Sequence, residues 1–117
     1  MDNYEQYIPY IAVAEGKKRV LGNLQIYIKL LKKFELRQVI TNLIECIEKN
    51  SHNEVIRQSH MLKGTASNLS LIALYEILNE VEGHAKSGQE VGTFTAALRT
   101  TMEETEKSIA AFIEEAE

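Results

Sequence analysis

Apolar residues recur along this chain at the spacing of helix faces, and no stretch shows the alternation of a strand. Residues 36–50 carry Val39, Ile40, Leu43, Ile44 and Ile47. Their steps of one and three mark a helix buried on one side. Asn50-Ser51-His52 interrupts the pattern, and Ser51 or Asn53 is placed to cap a following helix that reaches about Asn68. At about 100° per residue, Val55, Ser59, Leu62, Ala66 and Leu69 fall within roughly 80° of one another and predict a buried stripe. The next helix is expected to open with Ser70 as N-cap and shows Leu71, Leu74, Tyr75, Leu78, Val81 and Ala85 before Ser87-Gly88 ends it. Gly92-Thr93 leads into the last, with Phe94, Ala97, Leu98, Met102, Ile109, Phe112 and Ile113 along one side.

Two further helices are expected before residue 35. Residues 3–15 place Tyr4, Tyr7, Ile8 and Ile11 at helical spacing, with Asp2 or Asn3 as N-cap, Pro9 confining or kinking the segment and Gly16 stopping it. Residues 17–33 then carry Val20, Leu21, Leu24, Tyr27, Ile28 and Leu31, followed by Phe34, with lysines on the other side. The fold class is therefore all-α. Amphipathic helices of roughly 14 to 25 residues joined by short turns favour an up-down antiparallel four-helix bundle over residues 35–117. One or two additional N-terminal helices, within 1–34, would flank one end of it. The short turn near residue 69 makes an antiparallel hairpin in which residues 79–82 stand level with His60.

Length and composition narrow the class. A chain of 117 residues is read as one domain with room for a core. Hydrophobic residues at 44% and charged residues at 26% suit an ordinary globular protein. No apolar run approaches the roughly 18 residues that span a bilayer. The N-terminus lacks the basic and apolar runs of a signal peptide, and one cysteine forms no internal disulfide, so a cytoplasmic location is expected. Cys46, beside Ile44 and Ile47, reads as a small hydrophobe at a core edge. Residues 17–37 hold seven lysines and arginines against one acid, Glu35, whereas from Glu76 onward ten acids face three bases. Such a basic stretch raises nucleic acid as a partner. The whole chain is at −4 and has no aromatic or glycine pattern of a nucleic-acid module, so neither nucleic acid nor membrane is expected and a solvated helix face is the simplest reading.

The candidate chemistry lies opposite the Val55 stripe. His60 falls about 140° from Val55 on the helical wheel, on the outer face, with Lys63, Gly64 and Ser67 one or two turns on. A glycine within a helix is disfavoured by up to about 1 kcal/mol relative to alanine. Here it sits four residues after the imidazole, where a side chain would lie against the ring. Its absence opens space for a bulky group, and Lys63 can meet an anion placed on the ring. The arrangement predicts a histidine that receives a phosphoryl group, with Arg57 nearby and Glu82 and Lys86 as polar candidates from the next helix. His52 and His84 have no such neighbours. Three scattered histidines and one cysteine lack zinc-ligand spacing, so no metal site is expected.

His60, Lys63, Gly64, Asn68 and Leu69 resemble the signature of histidine phosphotransfer (HPt) domains. The family usually has glycine where this chain has Ser70, a difference that bears on the turn more than on the chemistry. The resemblance implies a phosphocarrier of a two-component phosphorelay, not an enzyme in its own right. His60, attacking through Nε2, would accept a phosphoryl group from an aspartate of one response-regulator receiver domain and pass it to another, upstream partners including hybrid or sensor histidine kinases. The chain has no phosphate-binding loop, Walker lysine or carboxylate cluster for Mg²⁺. It is thus expected to bind no cofactor, the Mg²⁺ coming with the partner receiver, and to act as a monomer. Because receiver active sites are acidic, some of Lys17, Lys18, Arg19, Lys29, Lys32 and Lys33 are candidates to steer the partner electrostatically. The alternatives are a helical adaptor that binds receivers without carrying phosphate, and a dimerising histidine-kinase segment.

Overall fold

Helices form where the sequence repeats apolar residues every three or four positions, and several end where the backbone turns left-handed, at Leu21, Asn50, Ser70 and Gly88. The computed structural model describes residues 4–117. They form six α-helices: α1 (Val13–Arg19), α2 (Leu24–Lys33), α3 (Leu36–Glu48), α4 (His52–Asn68), α5 (Ile72–Lys86) and α6 (Thr95–Ala116), with short 3-10 turns at Glu5–Tyr7 and Gly92–Phe94. No strand occurs among the described residues, and no helix among them is long and apolar enough to cross a membrane. The long helices close a ring of contacts: α3 on α4, α4 on α5, α5 on α6 and α6 on α3. Ile40, Leu43, Leu74, Leu78, Leu98 and Phe112 are wholly excluded from solvent at its centre. Burial of each such side chain stabilises the fold by about 1.5–3 kcal/mol.

The N-terminal third departs from expectation. Residues 3–15 do not form one helix: after the turn at Glu5–Tyr7 the chain runs without helix to Val13. Pro9 has no N–H to give a helix. Its carbonyl instead accepts from Ala73 N (2.9 Å), and Ala12 N donates to Ser70 O (2.9 Å), so the segment is held by the α4–α5 turn. The proposed caps Asp2 and Asn3 lie outside the described residues. Gly16 does not stop a helix but sits inside α1 against the Tyr27 ring, where a Cβ would come within 2.4 Å of the ring carbons. Tyr27, buried on α2, donates its hydroxyl to Leu69 O at 2.6 Å. Burial, and secondarily the charge of Glu15, push its phenol well above the usual range.

Residues 17–33 are likewise two helices. Leu21 (φ 57°) and Gly22 (φ 78°) turn left-handed between α1 and α2. Asn23 then caps α2, its Oδ1 accepting from Ile26 N at 3.1 Å. Leu21, expected within the apolar stripe, is 98% exposed. Ala97 of α6, expected on the packed side, is also exposed.

Ser70 is not the N-cap of α5; Leu71 holds that place. Ser70 has φ 56° and a buried hydroxyl with no hydrogen-bond partner among the described residues. Both features are unfavourable for serine and neither concerns glycine. Ser70→Gly is therefore expected to raise stability by about 1 kcal/mol, read as a higher melting temperature. An unchanged or lower midpoint would show that the hydroxyl contributes to the turn.

Candidate functional site

The site is built on the face of α4 that the core does not use. Val55, Ser59, Leu62 and Ala66 of α4, and Leu69 after it, are all buried, as their spacing predicts. The buried Ser59 hydroxyl is satisfied by Val55 O at 2.7 Å. With that stripe turned inward, the His60 side chain is left 68% exposed.

Helix α5 supplies the other half. Glu82 accepts from His60 Nδ1 at 2.8 Å, and Lys63 Nζ lies 3.2 Å from Asn79 Oδ1. The pairs 60–82 and 63–79 run in opposite directions along the two helices, so α4 and α5 are antiparallel, and residues 79–82 do stand level with His60.

Glu82 is the centre of the cluster. Its side chain is 3% exposed, yet three donors meet its carboxylate: Lys63 Nζ on Oε1 at 2.7 Å, His60 Nδ1 on Oε2 at 2.8 Å and Lys86 Nζ on Oε2 at 3.0 Å. Burial alone would raise its pKa. Hydrogen bonds from Lys63, Lys86 and His60, with the Lys63 charge, override that and hold it at about 2. The Lys63 ammonium is in turn pushed up, first by its hydrogen bond to Glu82.

The ionised carboxylate fixes the proton on the ring. A carboxylate only accepts hydrogen bonds, so Nδ1 must carry the proton that it receives. In a neutral imidazole the lone pair is then on Nε2. No hydrogen-bond partner of Nε2 occurs among the described residues. The site thus presents an in-plane nitrogen lone pair to solvent.

Gly64 leaves room beside it, since a Cβ at this position would meet nothing within 4 Å. Other sequence candidates lie apart from the ring. Ser67 is half-buried two turns on and lines a small cleft with Glu15, Arg19 and Tyr75. Arg57 turns to Glu54 (Nε–Oε1 3.0 Å) and to Met61 Sδ at 3.5 Å. Lys86 reaches the site only through Glu82. Asn79 was not singled out from sequence, although its place three residues before Glu82 puts it on the same face of α5.

Cys46, His52 and His84 each bond within the fold, away from this cluster. Half-buried Cys46 accepts from Gln58 Nε2 at 3.4 Å. His52 donates through Nε2 to Ala85 O at 2.7 Å, and His84 through Nδ1 to Glu80 O at 3.0 Å. Among the described residues no group of three or more His, Cys, Asp or Glu is placed to hold a metal ion. Comparison with protein-family models, curated proteins and solved structures found no match to this chain.

Proposed function

We propose that this chain is a histidine phosphotransfer domain of a phosphorelay, working in the cytoplasm as a monomer between receiver domains. In this reading α3–α6 form the up-down antiparallel four-helix bundle, with α1 and α2 as its additional N-terminal helices. The observation that carries the proposal is the Nδ1–Glu82 bond, because it leaves an exposed imidazole nucleophilic at Nε2.

The reaction follows from that geometry. Nε2 attacks the phosphorus of an aspartyl phosphate on a receiver. An N–P bond forms while the P–O bond to the aspartate breaks, its electron pair leaving with the carboxylate. The ring, still protonated on Nδ1, becomes cationic, and Glu82 supplies the adjacent negative charge. Attack by the aspartate of a second receiver reverses the step. Phosphoryl transfer has a loose transition state, so positioning and charge neutralisation do most of the work. An ammonium has three donors. Lys63 uses two on Glu82 and Asn79, which leaves one for a phosphoryl oxygen. Mg²⁺, held by the receiver's own acids, would neutralise phosphoryl charge from the other side.

The test is incubation with a receiver phosphorylated on its aspartate. Acid-labile, base-stable phosphate should appear on this chain, and its absence refutes the reading. Gly64→Leu should reduce the transfer rate tenfold or more, on the order of the penalty for misplacing reacting groups by an ångström. The same substitution should leave the melting temperature equal or higher, since leucine favours a helix more than glycine does. Transfer at the parental rate in that variant would show that access past residue 64 is irrelevant.

A further inference from the structure

We propose that the α1–α2 hairpin is a peripheral membrane contact, in which Leu21 inserts among the headgroups of an anionic bilayer and Lys17, Lys18, Arg19, Lys29 and Lys33 meet the lipid charges. Leu21 is held under two unfavourable conditions at once. Its backbone is left-handed, with φ 57°, a conformation rare for a bulky residue, and its side chain is 98% exposed. No packing within the fold offsets either. Gly22 follows at φ 78° with nothing within 4 Å of where its Cβ would be, so the tip is open on this side as well. On α2, Ile26 and Leu30 are 46% and 40% exposed and lie four residues apart, on one face. Lys29 and Lys33 share that face.

The stretch of sequence that forms this tip carries charge of one sign. Between Glu15 and Glu35 there are six lysines and arginines and no acid, whereas the rest of the chain carries seven bases against 17 acids. All six are exposed, and only Lys32 has an ion-pair partner among the described residues, Glu117 at 3.0 Å. A basic surface with an apolar point is the complement of an anionic lipid layer.

The form of the surface favours lipid over a folded or nucleic-acid partner. A protein partner seats its anchor in a pocket within a fitted rim, and a fluid headgroup layer accepts an isolated projecting side chain without one. Five of the six bases are lysines, which act as point charges on flexible stems, whereas recognition of nucleic acid favours the fork of arginine. The contact needs no spanning helix.

Sedimentation of the full chain with phosphatidylserine–phosphatidylcholine vesicles, against phosphatidylcholine alone, tests this. Binding should require phosphatidylserine and weaken as salt is raised. Lys17→Glu with Lys18→Glu should weaken it by at least about fivefold per position. Leu21→Gly should weaken it about tenfold, the worth of one inserted aliphatic side chain. That variant should also melt higher, because glycine suits the left-handed turn, so lost binding cannot come from lost folding. Absence of phosphatidylserine-dependent binding, or parental vesicle affinity in Leu21→Gly, overturns the proposal. So does tighter binding to a short DNA duplex than to the vesicles, which would assign the patch to nucleic acid. Charge reversal that slows transfer from a phosphorylated receiver without changing vesicle binding overturns it in favour of an acidic protein.

Discussion

Replacement of His60 by glutamine is expected to abolish phosphoryl uptake and leave the fold standing. The ring is exposed, and its one side-chain bond among the described residues is to Glu82, which keeps Lys63 and Lys86 after the change. The stability difference should therefore stay within about 1 kcal/mol, the worth of one hydrogen bond on a carboxylate that keeps its two lysines. Glutamine offers no nucleophilic nitrogen, so the acid-labile phosphate should vanish altogether. Chain phosphorylated through another residue, or a variant that loses its helical signal, would remove His60 from the centre of the mechanism.

Glu82→Gln should show the second large effect, and it should be visible in two measurements. The amide is uncharged and can either donate or accept, so it no longer dictates which ring nitrogen carries the proton. Wrong-tautomer losses in related catalytic geometries reach about 10⁴-fold. Here a fall in transfer rate of roughly 10²-fold or more is expected. The second readout is acid stability. The folded carboxyl titrates at about 2, below its ordinary 4.5. A depressed acid stabilises the fold above the ordinary value and loses that contribution as pH falls toward the folded one. The parent should therefore lose stability between about pH 4.5 and pH 2, and Glu82→Gln should lack this component while being less stable at neutral pH. If the variant transfers phosphate at the parental rate, Glu82 is a structural acid and does not set the tautomer.

The site was more legible in the sequence than the helix ends around it. Val55, Ser59, Leu62 and Ala66 are local in sequence, and one periodicity fixes both the buried stripe and the outward place of His60. Glu82 followed from counting residues on either side of a short turn. What escaped depends on partners remote in the chain. Gly16 resembles a helix stop until Tyr27 is seen against it. Leu21 continues an apolar stripe on paper, and nothing local announces that it will turn left-handed into solvent. Ser70 looks like a cap, but in the fold its carbonyl accepts from Ala12 N and Leu71 N closes the helix end on Ala66 O, which places Ser70 in the turn instead. From sequence Lys63 awaits an anion, and the fold already provides one in Glu82.

The two ends of the described chain also meet. Gln6 Nε2 donates to Glu115 Oε1 at 3.1 Å, the Tyr7 hydroxyl bonds the same oxygen, and the Tyr4 and Tyr7 rings pack on Phe112. The first and last described segments therefore lie side by side. A unit with that property is modular: it can be spliced into a longer polypeptide, or circularly permuted through a short linker from residue 117 to residue 4, without drawing its helices apart.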